Sequence, residues 1–110
     1  MSVNVPLDEL PQALERFGPN PYIVTVGADG RPRATSVTVA WHKQLLMLGA
    51  GRRTAKNVAA NDQVALLWPA PEPGAHALIV DGRAALSDGA ESDVVVFVQP
   101  GKAVLHVSKG

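Results

Sequence analysis

A chain of 110 residues without cysteine has room for one domain, and it cannot form disulfide bonds, thiolate metal sites or a cysteine nucleophile. Ten basic and ten acidic residues cancel to zero net charge and only 5% of the residues are aromatic, which argues against a nucleic-acid surface. No apolar run is long enough to cross a membrane and no secretory signal opens the chain, so we expect one cytoplasmic domain over residues 1–110 with no membrane contact.

The basic residues are nevertheless concentrated in the middle of the chain. Residues 31–83 carry seven basic and three acidic side chains, whereas residues 1–30 carry one basic and four acidic ones. This excess favours a small anionic ligand bound by the middle part.

The first predicted element is a helix over residues 7–17. Its apolar residues recur at the spacing of one helix face. Gly18 is a natural stop, and Pro11 leaves open a start at that residue instead. We interpret this segment as a packing helix that covers one end of a sheet.

Three predicted strands follow. Tyr22–Val26 is a β-branched run, and Asp29-Gly30 after it is a strong tight-turn signal. The alternating residues 33–41 would complete a hairpin, with Arg33, Thr35 and Val37 on one side and Ser36 on the other. Residues 45–48 form the third predicted strand.

The segment after this third strand, LGAGRRTAKNVAAN over residues 48–61, predicts an anion site at the start of a short helix. Thr54 can cap the helix through its hydroxyl, and the first amides of a helix have no internal partner. Arg52 and Arg53 beside those amides, with Lys56 one turn later, are suited to bind phosphate. On spacing alone, a solvated basic helix start remains an alternative.

The rest of the chain predicts further strands. Gln63–Trp68 is apolar throughout, which is typical of a strand buried on both faces or at an interface. A long strand over residues 75–86 is expected to bend near Asp81-Gly82, and residues 87–93 form a loop or broken helix. Two strands, 94–98 and 102–107, are expected around a turn at 99–101. We therefore predict a mainly β fold, a mostly antiparallel barrel of six to seven strands with an N-terminal and an inserted helix.

Three segments, in this order and spacing, resemble the pyridoxamine 5'-phosphate oxidase-like, FMN-binding split-barrel family. They are VTVGADGRPRATSVTVAW, GRRTAKNVAANDQVALLWP and ALIVDGRAAL, within residues 20–86, and KAVLHV resembles the closing strand of short actinobacterial members. The resemblance implies a homodimer with two flavin sites at its interface. It places the FMN phosphate on Arg52, Arg53, Thr54 and Lys56.

The same resemblance places the flavin ring along residues 33–37. Backbone groups there would bond its pyrimidine edge, with Thr35 and Ser36 as side-chain candidates next to Arg33 and Val37. Trp68 of the partner chain is a candidate lid over the site. Some branches of the fold bind a deazaflavin or haem instead.

The chain also departs from the family pattern. Many members have a serine-arginine-lysine run where this chain has Arg53-Thr54-Ala55-Lys56, so the register of Lys56 stays open. The true oxidases continue into an arginine and histidine that hold the substrate, whereas this sequence stops at Gly110. We therefore expect little oxidation of pyridoxamine phosphate.

No residue is assigned as catalytic. The three histidines lack metal-ligand spacing, so no metal site is predicted, and no carboxylate pair has acid–base spacing. The main hypothesis is an FMN-dependent oxidoreductase of unknown substrate that acts as an obligate homodimer. The alternatives are a deazaflavin-dependent reductase and a non-catalytic split barrel that binds a small molecule.

Overall fold

The computed structural model describes residues 2–87 and 94–108 and shows eight strands and two helices in them. The strands are β1 (Ser2–Val5), β2 (Tyr22–Val26), β3 (Pro32–Ser36), β4 (Val39–His42), β5 (Leu45–Ala50), β6 (Gln63–Trp68), β7 (Ala77–Leu86) and β8 (Val94–His106). The helices are α1 (Leu10–Phe17) and α2 (Arg52–Ala60). The predicted mainly β architecture is confirmed, with one strand more than the upper limit expected. The predicted loop or broken helix at 87–93 lies, from residue 88 onward, outside the described residues.

The strands form one antiparallel sheet in the order β3-β2-β6-β7-β8-β5-β4, with β1 paired to β8. β3 and β4 stand at opposite ends of this order although only two residues separate them, so the sheet must curl round to bring its ends together. Val37 N–H donates to Pro21 O at 3.0 Å and extends the β2–β3 pairing, whereas Val39 N–H donates to Pro19 O at 2.8 Å and connects the start of β4 to the segment before β2. The single strand predicted over 33–41 is therefore wrong, because the chain changes strand partner after Ser36.

The prediction of two strands separated by a turn at 99–101 is also wrong, because β8 runs through Pro100 without reversing. The pairing with β7 shifts register between Asp81, which pairs with Lys102, and Gly82, which pairs with Pro100, so Gly101 is an extra residue that forms a bulge in β8 next to the proline. A bulge tolerates a residue that has no N–H to donate. A Cβ on Gly82 would lie 2.6 Å from Gln99 O, so the bend expected near Asp81-Gly82 requires glycine.

Helix α1 packs as expected, but it starts later than residue 7. A 3-10 turn over Leu7–Glu9 leads into it, and Pro11 occupies its first turn, where a missing N–H costs no helical hydrogen bond. Gly18 has φ of 84° and its N–H donates to Leu14 O at 2.9 Å, which ends the helix. Leu10, Ala13 and Leu14 are buried in the core.

Helix α2 joins β5 to β6 and packs against β2 and β7. The core lies inside the curled sheet between the two helices, and β6 contributes Val64, Leu66 and Trp68 to it. The other face of β6, with Ala65 and Leu67, is only half-buried in one chain. Neither helix has the length and apolar composition needed to span a membrane.

Candidate functional site

A cavity of about 580 Å³ lies between the turn of the β2–β3 hairpin and one flank of α2. Four cationic side chains and one carboxylate line it, together with an asparagine and three apolar residues. The lining residues are Ala28, Asp29, Arg31, Pro32 and Arg33 from the hairpin, and Arg53, Lys56, Asn57 and Ala60 from the helix. The cavity therefore has a cationic wall on each side.

The helical wall follows from the period of α2. Arg53, Asn57 and Ala60 are spaced by four and three residues, so they lie on one flank of the helix, with Lys56 beside Asn57. The opposite face buries Ala55 and Val58 against the sheet. Because packing of this apolar face sets the rotation of the helix, Arg53 and Lys56 are turned toward the cavity.

The hairpin wall follows from the register of β2 and β3. Arg33 is paired with Thr25, so both side chains lie on the side of the sheet that faces α2. The turn is tight, as predicted from Asp29-Gly30: Gly30 has φ of 78° and its N–H donates to Gly27 O at 3.0 Å. Asp29 Oδ1 accepts the N–H of Arg31 at 3.1 Å, which orders the segment that carries Arg31.

The positive charge of the cavity is not neutralised by ion pairs in the part of the chain that the structure describes. The ion pair found there joins Arg83 and Asp62 at 3.4 Å, on the exposed surface. None of the four cations of the cavity takes part in one within residues 2–87 and 94–108. Cations held close together without acidic partners attract anions, and guanidinium groups bind phosphate or carboxylate in a bidentate manner.

The structure brings three of the predicted site residues, Arg33, Arg53 and Lys56, to this cavity. Arg52 is exposed and does not line it. The predicted capping role of Thr54 is wrong, because α2 begins at Arg52 with Gly51 as its N-cap. Thr54 is the third helical residue and is only 3% exposed, on the face of the helix that packs into the protein.

The other candidates of this segment, Thr35, Ser36 and Val37, do not line the cavity. Thr35 is paired with Ile23 and half-buried, whereas Ser36 is paired with Tyr22 and exposed on the opposite side of the sheet. Val37 packs against the core. Because β3 is the last strand in the sheet order, one of its edges pairs with β2 and the other faces away from the sheet.

The predicted lid role of Trp68 does not hold. Its side chain is 1% exposed, and its Nε1–H donates to Gly18 O at 2.8 Å. The indole therefore packs under the end of α1, in the core of its own chain. The apolar pattern of β6 gave no signal for this, because it did not indicate which face of the strand meets the core.

Three polar lining residues were missed as site candidates: Asp29, Arg31 and Asn57. Arg31 follows the Asp-Gly turn and precedes Arg33 by two residues, which was an available signal. Asn57 lies one helical turn after Arg53, but an isolated asparagine carries no chemical signature in sequence. No cluster of three or more metal-ligating side chains occurs among the described residues, and none of the three histidines lines the cavity.

Comparison with protein families gives one model, described as pyridoxamine 5'-phosphate oxidase, that matches residues 10–106. Uncharacterised proteins of Mycobacterium bovis and Mycobacterium tuberculosis are 45% identical over 58 residues. That match covers 51% of this chain and 41% of those proteins, so the chain corresponds to about two fifths of their length.

Solved structures share the fold over nearly the whole chain. A Listeria innocua protein provisionally named a pyridoxamine 5'-phosphate oxidase superposes with a TM-score of 0.74 at 21% identity, covering 93% of this chain and 98% of that one. The haem storage protein HutZ of Vibrio cholerae superposes with a TM-score of 0.72 at 14% identity, covering 91% of this chain and 94% of that one.

Two further solved structures have ligands in their names. An FAD-binding protein of Mesorhizobium loti has a TM-score of 0.71 at 13% identity, covering 96% of both chains. An F420 reductase has a TM-score of 0.64 at 21% identity, covering 77% of this chain and 88% of that one. At these identities the four structures show the fold alone, and they confirm the predicted split barrel.

Proposed function

This chain belongs to the pyridoxamine 5'-phosphate oxidase family, and we propose from that premise that it binds FMN and serves as a flavin-dependent oxidoreductase. The observation that carries the proposal is the cavity between the β2–β3 hairpin and α2, where four cations and one carboxylate converge. A bound flavin supplies hydride transfer, and the protein supplies its position and electrostatic environment.

The residues of the cavity fit a phosphate ester. Four cations less one carboxylate leave a formal charge of +3, whereas a phosphate monoester carries about −1.5 to −2 at neutral pH. Arg33 from the hairpin and Arg53 from the helix approach from opposite walls and provide planar donor groups, and Lys56 adds a compact charge. A phosphate held between the two walls would offset the repulsion among these cations.

The rest of the flavin is proposed to extend along β3. The free edge of this strand presents backbone N–H and C=O groups that β2 does not use. Such groups match the alternating donors and acceptors of the flavin pyrimidine ring. Ser36 lies at the far end of this strand from the cavity and is a side-chain donor for the same edge.

A homodimer is proposed to complete the site. Four apolar side chains form a continuous row across β2, β6, β7 and β8 on the face of the sheet turned away from the core: Tyr22, Leu67, Ile79 and Val104. Tyr22 is 43% exposed and the other three are half-buried in a single chain. A two-fold interface would cover this row with the same row of a second copy.

A deazaflavin with a longer anionic tail is the second candidate ligand. It is favoured by the surplus charge, because +3 in the cavity exceeds what one phosphate monoester neutralises. Arg31, which lies next to the turn, would contact the additional acidic groups.

Titration of the purified protein with FMN, riboflavin and a deazaflavin cofactor tests the proposal. Flavin absorption bands and a clear preference for FMN over riboflavin support it, and a preference for the deazaflavin supports the second candidate. A colourless protein that binds none of them contradicts both and leaves a non-catalytic split barrel. Light scattering at micromolar concentration tests the dimer: a folded monomer that still binds FMN would contradict it.

A further inference from the structure

A buried hydrogen bond connects the two walls of the cavity. Asn57 on α2 is 7% exposed, and its Nδ2 donates to Thr25 Oγ1 at 3.0 Å. Thr25 lies on β2, is 1% exposed, and does not line the cavity. Polar side chains buried at this depth are costly unless they are paired, so this bond constrains both partners.

The backbone of the hairpin also approaches Asn57 closely. A Cβ on Gly27 would lie 2.5 Å from Asn57 Oδ1 and 3.2 Å from its Cγ. The asparagine side chain therefore fits between the Thr25 hydroxyl and the Gly27 backbone, and only glycine leaves room for it. The side chain of Asn57 is thus bonded to β2 at Thr25 and lies close to Gly27, the residue that follows the strand.

These contacts are directly connected to the cations. Thr25 is the strand partner of Arg33, so the bond ends on the residue beside this arginine. On the other side, Arg53 lies one helical turn before Asn57 and Lys56 lies immediately before it. We propose that Asn57 is a positioning residue, which sets the distance between the hairpin cations and the helix cations through Thr25 and Gly27. This inference rests on the proposed binding of a phosphate-bearing flavin.

A buried hydrogen bond between the two walls has a physical reason. Four cations around one cavity, offset by only one carboxylate, repel each other before a ligand arrives, and this repulsion favours separation of the helix from the hairpin. A buried bond between the walls opposes this separation. Binding then requires less reorganisation, because the two walls that carry the donors are already held together.

The test compares Thr25→Val with Thr25→Ser in the full chain, by titration with FMN and with riboflavin. Valine has nearly the shape of threonine but removes the oxygen that accepts from Asn57, whereas serine keeps it. We expect Thr25→Val to weaken FMN about tenfold and riboflavin by less than about twofold. We expect Thr25→Ser to keep the wild-type preference for FMN over riboflavin.

A second pair of variants keeps the test decisive if Thr25→Val folds poorly. Gly27→Ala drives a methyl group into Asn57 Oδ1, and we expect the same selective loss of FMN affinity. Gly101→Ala is the matched control, because its Cβ would meet only Asp81 O at an ordinary 3.6 Å. Its FMN to riboflavin affinity ratio should equal that of the wild type.

The outcomes separate this inference from the proposed function. If the wild-type chain binds FMN no better than riboflavin, both fail. If the wild type prefers FMN and both Thr25→Val and Gly27→Ala keep that preference while melting at a lower temperature, Asn57 is merely structural and only the inference fails. A lower FMN to riboflavin ratio in either variant, measured well below its melting temperature, supports the positioning role.

Discussion

Helices α1 and α2 are similar in length, eight and nine residues, but they bury different kinds of side chain. α1 buries only apolar residues, Leu10, Ala13 and Leu14, and its end is held by the bond from Trp68 to Gly18. α2 buries Thr54 and Asn57 along with its apolar residues, and its exposed flank carries the cations. The comparison indicates that α1 contributes mainly to stability, whereas α2 also buries polar side chains and positions the cations of the cavity.

The largest effect is expected from Leu10→Ala, which removes a fully buried side chain of α1. Cavity formation should lower the free energy of unfolding by about 2–5 kcal/mol. Denaturant unfolding measures this loss, and a titration below the transition should give an unchanged FMN to riboflavin ratio. A changed FMN to riboflavin ratio would show that α1 also shapes the ligand site, and it would contradict the division of roles between α1 and α2.

Arg53→Ala should have the next largest effect, on binding rather than on folding. Loss of a charge-assisted contact to phosphate should weaken FMN about 10- to 100-fold, with a much smaller change for riboflavin. The melting temperature without ligand should change little, because Arg53 is exposed and unpaired in the described part of the chain. Equal losses for FMN and riboflavin would show that Arg53 does not act through the phosphate.

Trp68→Phe tests the role of the hydrogen bond that holds the end of α1. The variant keeps an aromatic ring but removes the Nε1–H that donates to Gly18 O. Loss of this part-buried hydrogen bond should lower the free energy of unfolding by about 0.5–1.5 kcal/mol. Flavin affinity should be unchanged, since Trp68 lies in the core of its own chain; selective loss of flavin binding would restore the lid hypothesis.

Arg52→Ala should have the smallest effect and is the matched control for Arg53→Ala. Both arginines are exposed and adjacent, but only Arg53 lines the cavity. FMN affinity should fall by less than about twofold, through long-range charge alone. A loss as large as that of Arg53→Ala would show that charge near the helix start, rather than the flank of α2, governs binding.

Much of the fold was predictable because it depends on neighbouring residues. A β-branched run indicated β2, an apolar run indicated β6, and Asp29-Gly30 indicated the tight turn. The spacing of apolar residues indicated α1, although its start depended on Pro11. Clustering of basic residues predicted an anion site with Arg53 and Lys56, and the family resemblance added Arg33 as a flavin contact; the structure places these three side chains around one cavity.

The tertiary structure alone decided the features that depend on partners distant in sequence. Residues 33–41 alternate like one strand, yet closure of the sheet divides them, because residues before and after Val37-Thr38 pair with different strands. The sequence around Pro100 predicted a turn, yet a bulge at Gly101 of β8 accommodates the proline within that strand. Local periodicity tells which side of an element a residue occupies, but not what lies across from it.

The same distinction applies to the site. The sequence by itself determined that cations stand near a hairpin turn and on a short helix, because charge and turn chemistry are properties of the residues. The tertiary structure decided that the flank of α2, rather than its N-terminal amides, faces the hairpin and that Thr54 and Trp68 are buried. It also brought Asn57 to Thr25 across 32 residues, because the rotation of a packed helix is set by the apolar face that it buries.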